Sequence, residues 1–251
     1  MKLMPNINFT QYELNERLIT DIYTKGGEAY ICLSDNPQTL FKIFINSKTS
    51  EIAEMSDNKF KKIVSLYQQD ISYSVKPLAT LSLNGKLIGY EMTYDPNDLP
   101  LNCLGMKRKD SIEVLKKTKD ALQHFASKDI VYGDVKDNNV LVNIKTGEVK
   151  FCDMDNIQLG EYPIDLMGID LKKYYQKRGI IDENADAYMH NLMTLKQLKF
   201  PCNYTFYSGI LLMFEKGEFP SKFKLAARPI FESMINPEQF TGEYAIQYIR
   251  R

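Results

Sequence analysis

At 251 residues, with 44% hydrophobic and 25% charged side chains, the chain is long and apolar enough to bury a full core in one domain or one two-lobed unit. Its 32 basic residues balance 32 acidic ones, so no nucleic-acid or other polyanion partner is implied, and Lys107-Arg108-Lys109 and Lys172-Lys173 read as solvated faces. Ile210–Phe214, the longest strong apolar run, is far too short for a membrane span, no secretory signal follows Lys2, and Cys32, Cys103, Cys152 and Cys202 form no metal-type pair; the expectation is a soluble cytoplasmic protein with reduced thiols.

Residues 1–15 are polar and read as either an ordered lead-in or a frayed tail. Strand-like stretches follow at Leu18-Ile19, Ala29–Leu33 and Leu40–Ile45, broken at Lys25-Gly26-Gly27 and at Asp35-Asn36-Pro37. The glycines Gly26 and Gly27 let a backbone approach phosphate oxygens closely, and free N–H groups there can cradle them. Lys42 sits among apolar neighbours in Phe41-Lys42-Ile43-Phe44, and a cation in such a strand needs a partner because burying it alone is costly.

Residues 49–69 read as helical, with a possible break near Ser56-Asp57 and an apolar stripe of Phe60, Ile63, Val64 and Tyr67; Glu51 and Glu54 lie at its start. Ser74–Leu83 and Leu87–Thr93 form a hairpin around Asn84-Gly85, and Tyr94–Asp98 is a connector. A long amphipathic helix follows, expected to begin at Asp110 with Glu113 completing a capping box. His124 and His190 have no metal-type companion and read as structural. A further helix opens at Asp186-Ala187-Tyr188-Met189, and the tail is expected to be helical at Tyr204–Phe214 and Lys224–Met234.

The densest chemistry lies between Asp129 and Asp155. Two short strands, Val140–Asn143 and Val149–Phe151, flank the turn Lys145-Thr146-Gly147, with polar residues before the first strand and Asp153-Met154-Asp155 after the second. If the strands pair, Asp134, Lys136 and Asn139 come near Asp153. A carboxylate base, a cation and two oxygen ligands then share a small volume, the set that phosphoryl transfer needs for positioning and charge neutralisation.

This pattern resembles the catalytic loop and metal-binding motif of the protein kinase-like superfamily, in a divergent, bacterial-type Ser/Thr form. The resemblance implies an α+β bilobal fold: a small β-rich N-lobe with one main helix over residues 1–93, and a mainly helical C-lobe over 94–251. It makes Asp134 the group that orients or accepts the proton of an attacking hydroxyl, and Lys136 the neutraliser of the transferring phosphoryl group. Asn139 and Asp153 would hold Mg2+, and Lys42 would grip the phosphates of ATP, steadied by Glu54 or, alternatively, Glu51. The turn at Gly26 and Gly27 would cover the phosphates, and the backbone of Glu91 and Thr93 would meet the adenine. Asp186 would hydrogen-bond the catalytic-loop backbone, and 156–183 would be an activation-like segment.

The motif departs from the family in two places. Tyr132-Gly133 replaces the usual His-Arg, so no arginine awaits a phosphate and activity is expected to need no phosphorylation of the following segment. Asp155 replaces the usual glycine of the metal motif. The expected activity is transfer of the γ-phosphate of Mg-ATP to Ser or Thr of a protein. The competing readings are a nucleotide-binding pseudokinase and a transferase on the same fold that acts on a small molecule or transfers a nucleotidyl group.

Overall fold

The computed structural model describes residues 3–26, 28–69, 71–165, 167–198, 216 and 223–249, leaving the side chains of Ile19 and Lys25 aside. Gly27, Cys202 and the expected helix Tyr204–Phe214 lie outside these residues. The protein is mixed α+β, with six α-helices among the described residues, and divides into two compact units, Met1–Asp98 and Leu99–Arg251.

The first unit is built on one six-stranded sheet. In chain order its strands are β1 (Asn6–Phe9), β2 (Ile22–Lys25), β3 (Ala29–Leu33), β4 (Thr39–Phe44), β5 (Pro77–Leu83) and β6 (Lys86–Thr93), arranged β1-β5-β6-β4-β3-β2. Only β1 pairs in parallel, with β5; the other pairings are antiparallel. The β5–β6 turn needs left-handed backbone at Asn84 (φ 51°) and Gly85 (φ 78°), which an Asn-Gly pair supplies at little cost. Phe9, Leu14, Cys32, Phe41, Ile43, Leu81 and Ile88 form one apolar cluster of this unit, and burial pushes the Cys32 thiol up to about 11.

The N-terminal lead-in is structured. Helix α1 (Gln11–Thr20) starts at a capping box: Thr10 Oγ1 accepts from the Glu13 N–H at 3.2 Å, and the Glu13 carboxylate accepts from the Thr10 N–H at 2.8 Å. The expected strand at Leu18-Ile19 is therefore the end of a helix, and the first strand of the glycine hairpin begins at Ile22. Helix α2 is shorter than expected, Asp57–Gln68, because Ser56 caps it by accepting from the Lys59 N–H at 3.3 Å. The residues before it lie extended against the sheet: Ala53 N–H donates to the Phe44 carbonyl at 2.9 Å, Met55 N–H to the Leu87 carbonyl at 2.7 Å, and Ile45 bridges Ile52.

The second unit is mainly helical. Helix α3 (Arg108–Ala126) begins before Asp110, so the expected Asp110 cap is not formed and Asp110 lies in the first turn. Helices α4 (Ile169–Arg178), α5 (Glu183–Gln197) and α6 (Arg228–Ile235) follow. Short strands complete the unit: β7 (Asp98–Pro100), β8 (Ile130–Val131), β9 (Val140–Asn143), β10 (Val149–Phe151) and β11 (Gln158–Leu159). They form a sheet ordered β10-β9-β7 and a pair β11-β8. In the expected activation-like segment, β11 pairs with β8 and α4 occupies its second half. No helix among the described residues is long and apolar enough to cross a membrane.

Helix α5 is the core of this unit, with every residue from Ala185 to Leu195 buried. His190 ties it to α3: its Nε2 lies 2.9 Å from the Leu115 carbonyl, which places the ring proton on Nε2, and Tyr244 packs edge-on 5.1 Å away. Burial lowers its pKa from the ordinary 6.5 to about 4. The folded state therefore holds fewer protons than the unfolded chain between these values. The contribution is full above 6.5 and is lost as pH falls through 4. Urea unfolding near pH 7 and pH 4.5 should show His190→Gln losing less stability on acidification than the wild type, by on the order of 2 kcal/mol.

Candidate active site

The polar loop between β8 and β9 is held from below by α5. Asp186 is 2% exposed, and its two carboxylate oxygens accept from the N–H groups of Tyr132 at 2.7 Å and Gly133 at 2.6 Å, the bonds that the resemblance implies. Burial pushes its carboxyl up to about 7 against the pull of those two donors. Gly133 has φ 75°, and a Cβ there would stand 2.2 Å from Ile164 Cδ1. A side chain here would displace the Ile164 methyl and hold a left-handed backbone that only glycine takes without strain.

Above this anchor the side chains converge. Lys136 Nζ lies 2.6 Å from Asp134 Oδ2, and Asn139 Nδ2 donates to the same oxygen at 2.8 Å and to the Asp134 carbonyl at 3.1 Å. A carboxylate only accepts, so this contact commits the Asn139 amide nitrogen to Asp134 and leaves Oδ1 as the oxygen donor of that side chain. The expected trio Asp134, Lys136 and Asn139 is thus brought together. Asn139 is buried, Asp134 half-buried and Lys136 exposed.

Asp153 reaches the same region through the hairpin. β9 and β10 pair in register, Val149 opposite Val142 and Phe151 opposite Val140, and Cys152 N–H donates to the Asn139 carbonyl at 3.1 Å. Asp153 takes left-handed backbone (φ 59°, ψ 36°) and turns the chain into a short 3-10 segment, Met154–Asn156, with its side chain exposed. Non-glycine residues rarely adopt this conformation, and such strain concentrates at functional sites. Tyr132 lies between the two loops. Its ring packs 4.6 Å from Phe151, and its hydroxyl donates to the Cys152 carbonyl at 2.5 Å. Burial raises its pKa far above the ordinary phenol value, and the charges of Cys152, Asp153 and Asp134 push the same way, so both carboxylates bear on one hydroxyl. Asp155, in the usual glycine position, is buried.

The expected residues of the first unit have other local roles. Lys42 is buried on β4, with its ammonium 5.6 Å from the Phe44 ring centre and 5.9 Å from that of Tyr90. Glu54 lies in the extended segment before α2, where a helix was expected, and pairs with Lys86 at 3.2 Å, both side chains well exposed. Glu51 is exposed in the same segment. What α2 buries instead is Lys62, with Ile63 and Leu66. Gly26 spends its N–H on the Ala29 carbonyl at 2.9 Å, closing the hairpin turn. Thr93 N–H donates to the Lys76 carbonyl at 2.9 Å, and Glu91 accepts from Thr39 Oγ1 at 2.7 Å, because β6 stays in the sheet through both residues. The Thr93 amide expected to meet an adenine is therefore engaged within the sheet, as is that of Gly26.

No model of a known protein family matches the chain, and no curated protein is similar to it. Among the described residues no group of three or more His, Cys, Asp and Glu side chains is placed to hold a metal ion. The oxygen donors expected here are the Asn139 amide oxygen and the exposed Asp153 carboxylate, the latter one residue after the Cys152 N–H that meets the Asn139 carbonyl. This hard-oxygen pair suits a cation that takes only one or two protein ligands and shares the rest with phosphate and water, as Mg2+ does.

The sequence reading missed Asp137. It is 5% exposed and accepts from Lys196 Nζ at 2.8 Å and from Gln197 Nε2 at 3.0 Å, both at the end of α5. Only its place inside the Asp134–Asn139 motif could have drawn attention to it. Substituting the loop's glycine tests how tightly the site is packed. Gly133→Ala should destabilise the protein by about 1–3 kcal/mol in chemical denaturation, through the left-handed backbone and the clash with Ile164.

Proposed function

We propose that the protein is an ATP-dependent phosphotransferase, a Ser/Thr-type protein kinase that transfers the γ-phosphate of Mg-ATP to a hydroxyl of a protein. The observation that carries the reading is the shared grip on Asp134: Lys136 on one side and the Asn139 amide nitrogen on the other. That grip sets a half-buried carboxylate beside an ammonium and a buried side-chain amide, the parts that phosphoryl transfer uses. In this reading the sheet unit is the small lobe and the helical unit the large lobe of a kinase-like fold.

Asp134 orients the acceptor hydroxyl and takes its proton as the oxygen bonds to the γ-phosphorus. The bond from that phosphorus to the bridging oxygen breaks, and ADP leaves with the electron pair. Lys136 offsets the charge on the transferring group, from its place 2.6 Å from Asp134. Asn139 Oδ1 and Asp153 are the residues that would hold Mg2+. Such an ion would supply positive charge to offset that of the phosphates. In this reading Lys42 would contact the nucleotide phosphates. With glycine at position 133, packed against Ile164, the loop has no arginine to receive a phosphate, so activity does not depend on phosphorylating the following segment.

Incubation with ATP labelled at the γ- or the α-phosphate separates the possible chemistries. The expected result is transfer of γ-label to protein, reduced at least 100-fold by Asp134→Ala and by Asp153→Ala, and unaffected by prior phosphatase treatment. Label arriving only from the α-phosphate, or only on small molecules in a metabolite extract, would replace protein phosphorylation with another transfer.

A further inference from the structure

We propose that Asp137 is a positioning residue: the clamp it forms with Lys196 and Gln197 sets the turn that aims Lys136 and Asn139 at Asp134. The inference rests on the phosphotransferase reading and extends it to a residue that contacts none of the reacting atoms.

The turn is short, and both of its ends carry function. Asn139 N–H donates to the Lys136 carbonyl at 3.0 Å, so a single backbone bond closes the turn between the two residues that grip Asp134. Asp137 lies inside it and points the other way, into the protein. Its oxygens lie 2.8 Å and 2.7 Å from Lys196 Nζ, and Gln197 Nε2 adds a bond at 3.0 Å. The Asp137 carbonyl accepts from the Asn102 N–H at 3.2 Å. This one residue is therefore fixed by side chain and backbone at once, while Lys136 and Asn138 on either side are exposed.

The anchor's place on α5 gives the clamp its significance. Asp186 holds the start of the loop at Tyr132 and Gly133, and Lys196 holds its far end. The two anchor points are separated by ten residues of one helix, about 15 Å at the α-helical rise. A rigid rod pinned at both ends leaves the intervening backbone little freedom, which is what a site sensitive to displacements of about 1 Å requires. Replacing both partners of such a pair costs little net stability, because desolvation offsets the attraction, whereas removing one leaves the other charge uncompensated, so the double variant is the one in which geometry is read apart from stability.

The test measures kcat, KM for ATP and the NMR signals of the Asn139 side-chain amide in Asp137→Ala, Asp137→Asn, Lys196→Met and the double variant Asp137→Ala/Lys196→Met. Lys196→Met keeps the aliphatic stem of a half-exposed side chain and should fold normally. The expected result is a loss in kcat of about 10-fold or more for Asp137→Ala and Lys196→Met, with KM for ATP within about 2-fold of wild type. Asp137→Asn should fall between wild type and Asp137→Ala, and the double variant should be no worse than Asp137→Ala alone, as one shared interaction requires. The Asn139 amide protons should shift and exchange faster in each variant. Wild-type kcat in folded Lys196→Met, or unmoved Asn139 signals, would overturn the clamp. If the wild type itself transferred no γ-phosphate, the proposed function would fall, and the Asn139 signals would still decide whether Asp137 positions the loop.

Discussion

A buried carboxylate that accepts two adjacent backbone N–H groups is the constraint from which the second unit's chemistry follows. Asp186 is enclosed in α5, whose residues Ala185 to Leu195 are all buried, and removing its charge from water raises its carboxyl to about 7. The bonds from Tyr132 and Gly133 oppose that cost. They also orient the peptide units directly before Asp134, so the direction of that side chain is dictated from inside the protein. Gly133 is needed in this arrangement for a second reason, because Ile164 occupies the space where its side chain would be.

The polar site is assembled from short-range contacts layered on this anchor. Aromatic packing among Phe125, Tyr132 and Phe151 joins helix α3, the loop and strand β10, with ring centres 4.6 to 6.3 Å apart. The Tyr132 hydroxyl then meets the backbone just before Asp153. A tyrosine is thereby both a core side chain and the polar link between two loops that carry carboxylates, the combination that its amphipathic ring allows.

Much of this was legible in the sequence, and the exceptions share a cause. Strands β3, β9 and β10 fall on the expected residues because apolar runs bounded by turn residues define them locally. The Asp134, Lys136 and Asn139 cluster was legible because its spacing within one loop suffices to bring the groups together. Helix α1 was overlooked although Thr10 and Glu13 spell its capping box. The segment holding Glu51 and Glu54 has helical composition, yet pairing with the sheet at Ile45–Ile52 overrides that preference. Lys62 and Asp137 could not be read as buried, because what encloses a charged side chain is set by tertiary packing. The Asp137–Lys196 pair joins residues far apart in the chain, and no local pattern signals it.

The proposed phosphotransferase requires Asn139 and Asp153 to hold one divalent ion next to Asp134. Paramagnetic broadening tests it most directly: Mn2+ is added with a non-hydrolysable ATP analogue, and the amide signals of the loop and hairpin are followed. The account predicts selective loss of the Asn139 side-chain amide and Asp153 backbone signals, dependent on the nucleotide and abolished for residue 139 in Asp153→Ala. Broadening that leaves both residues sharp, or that is the same without nucleotide, would contradict it.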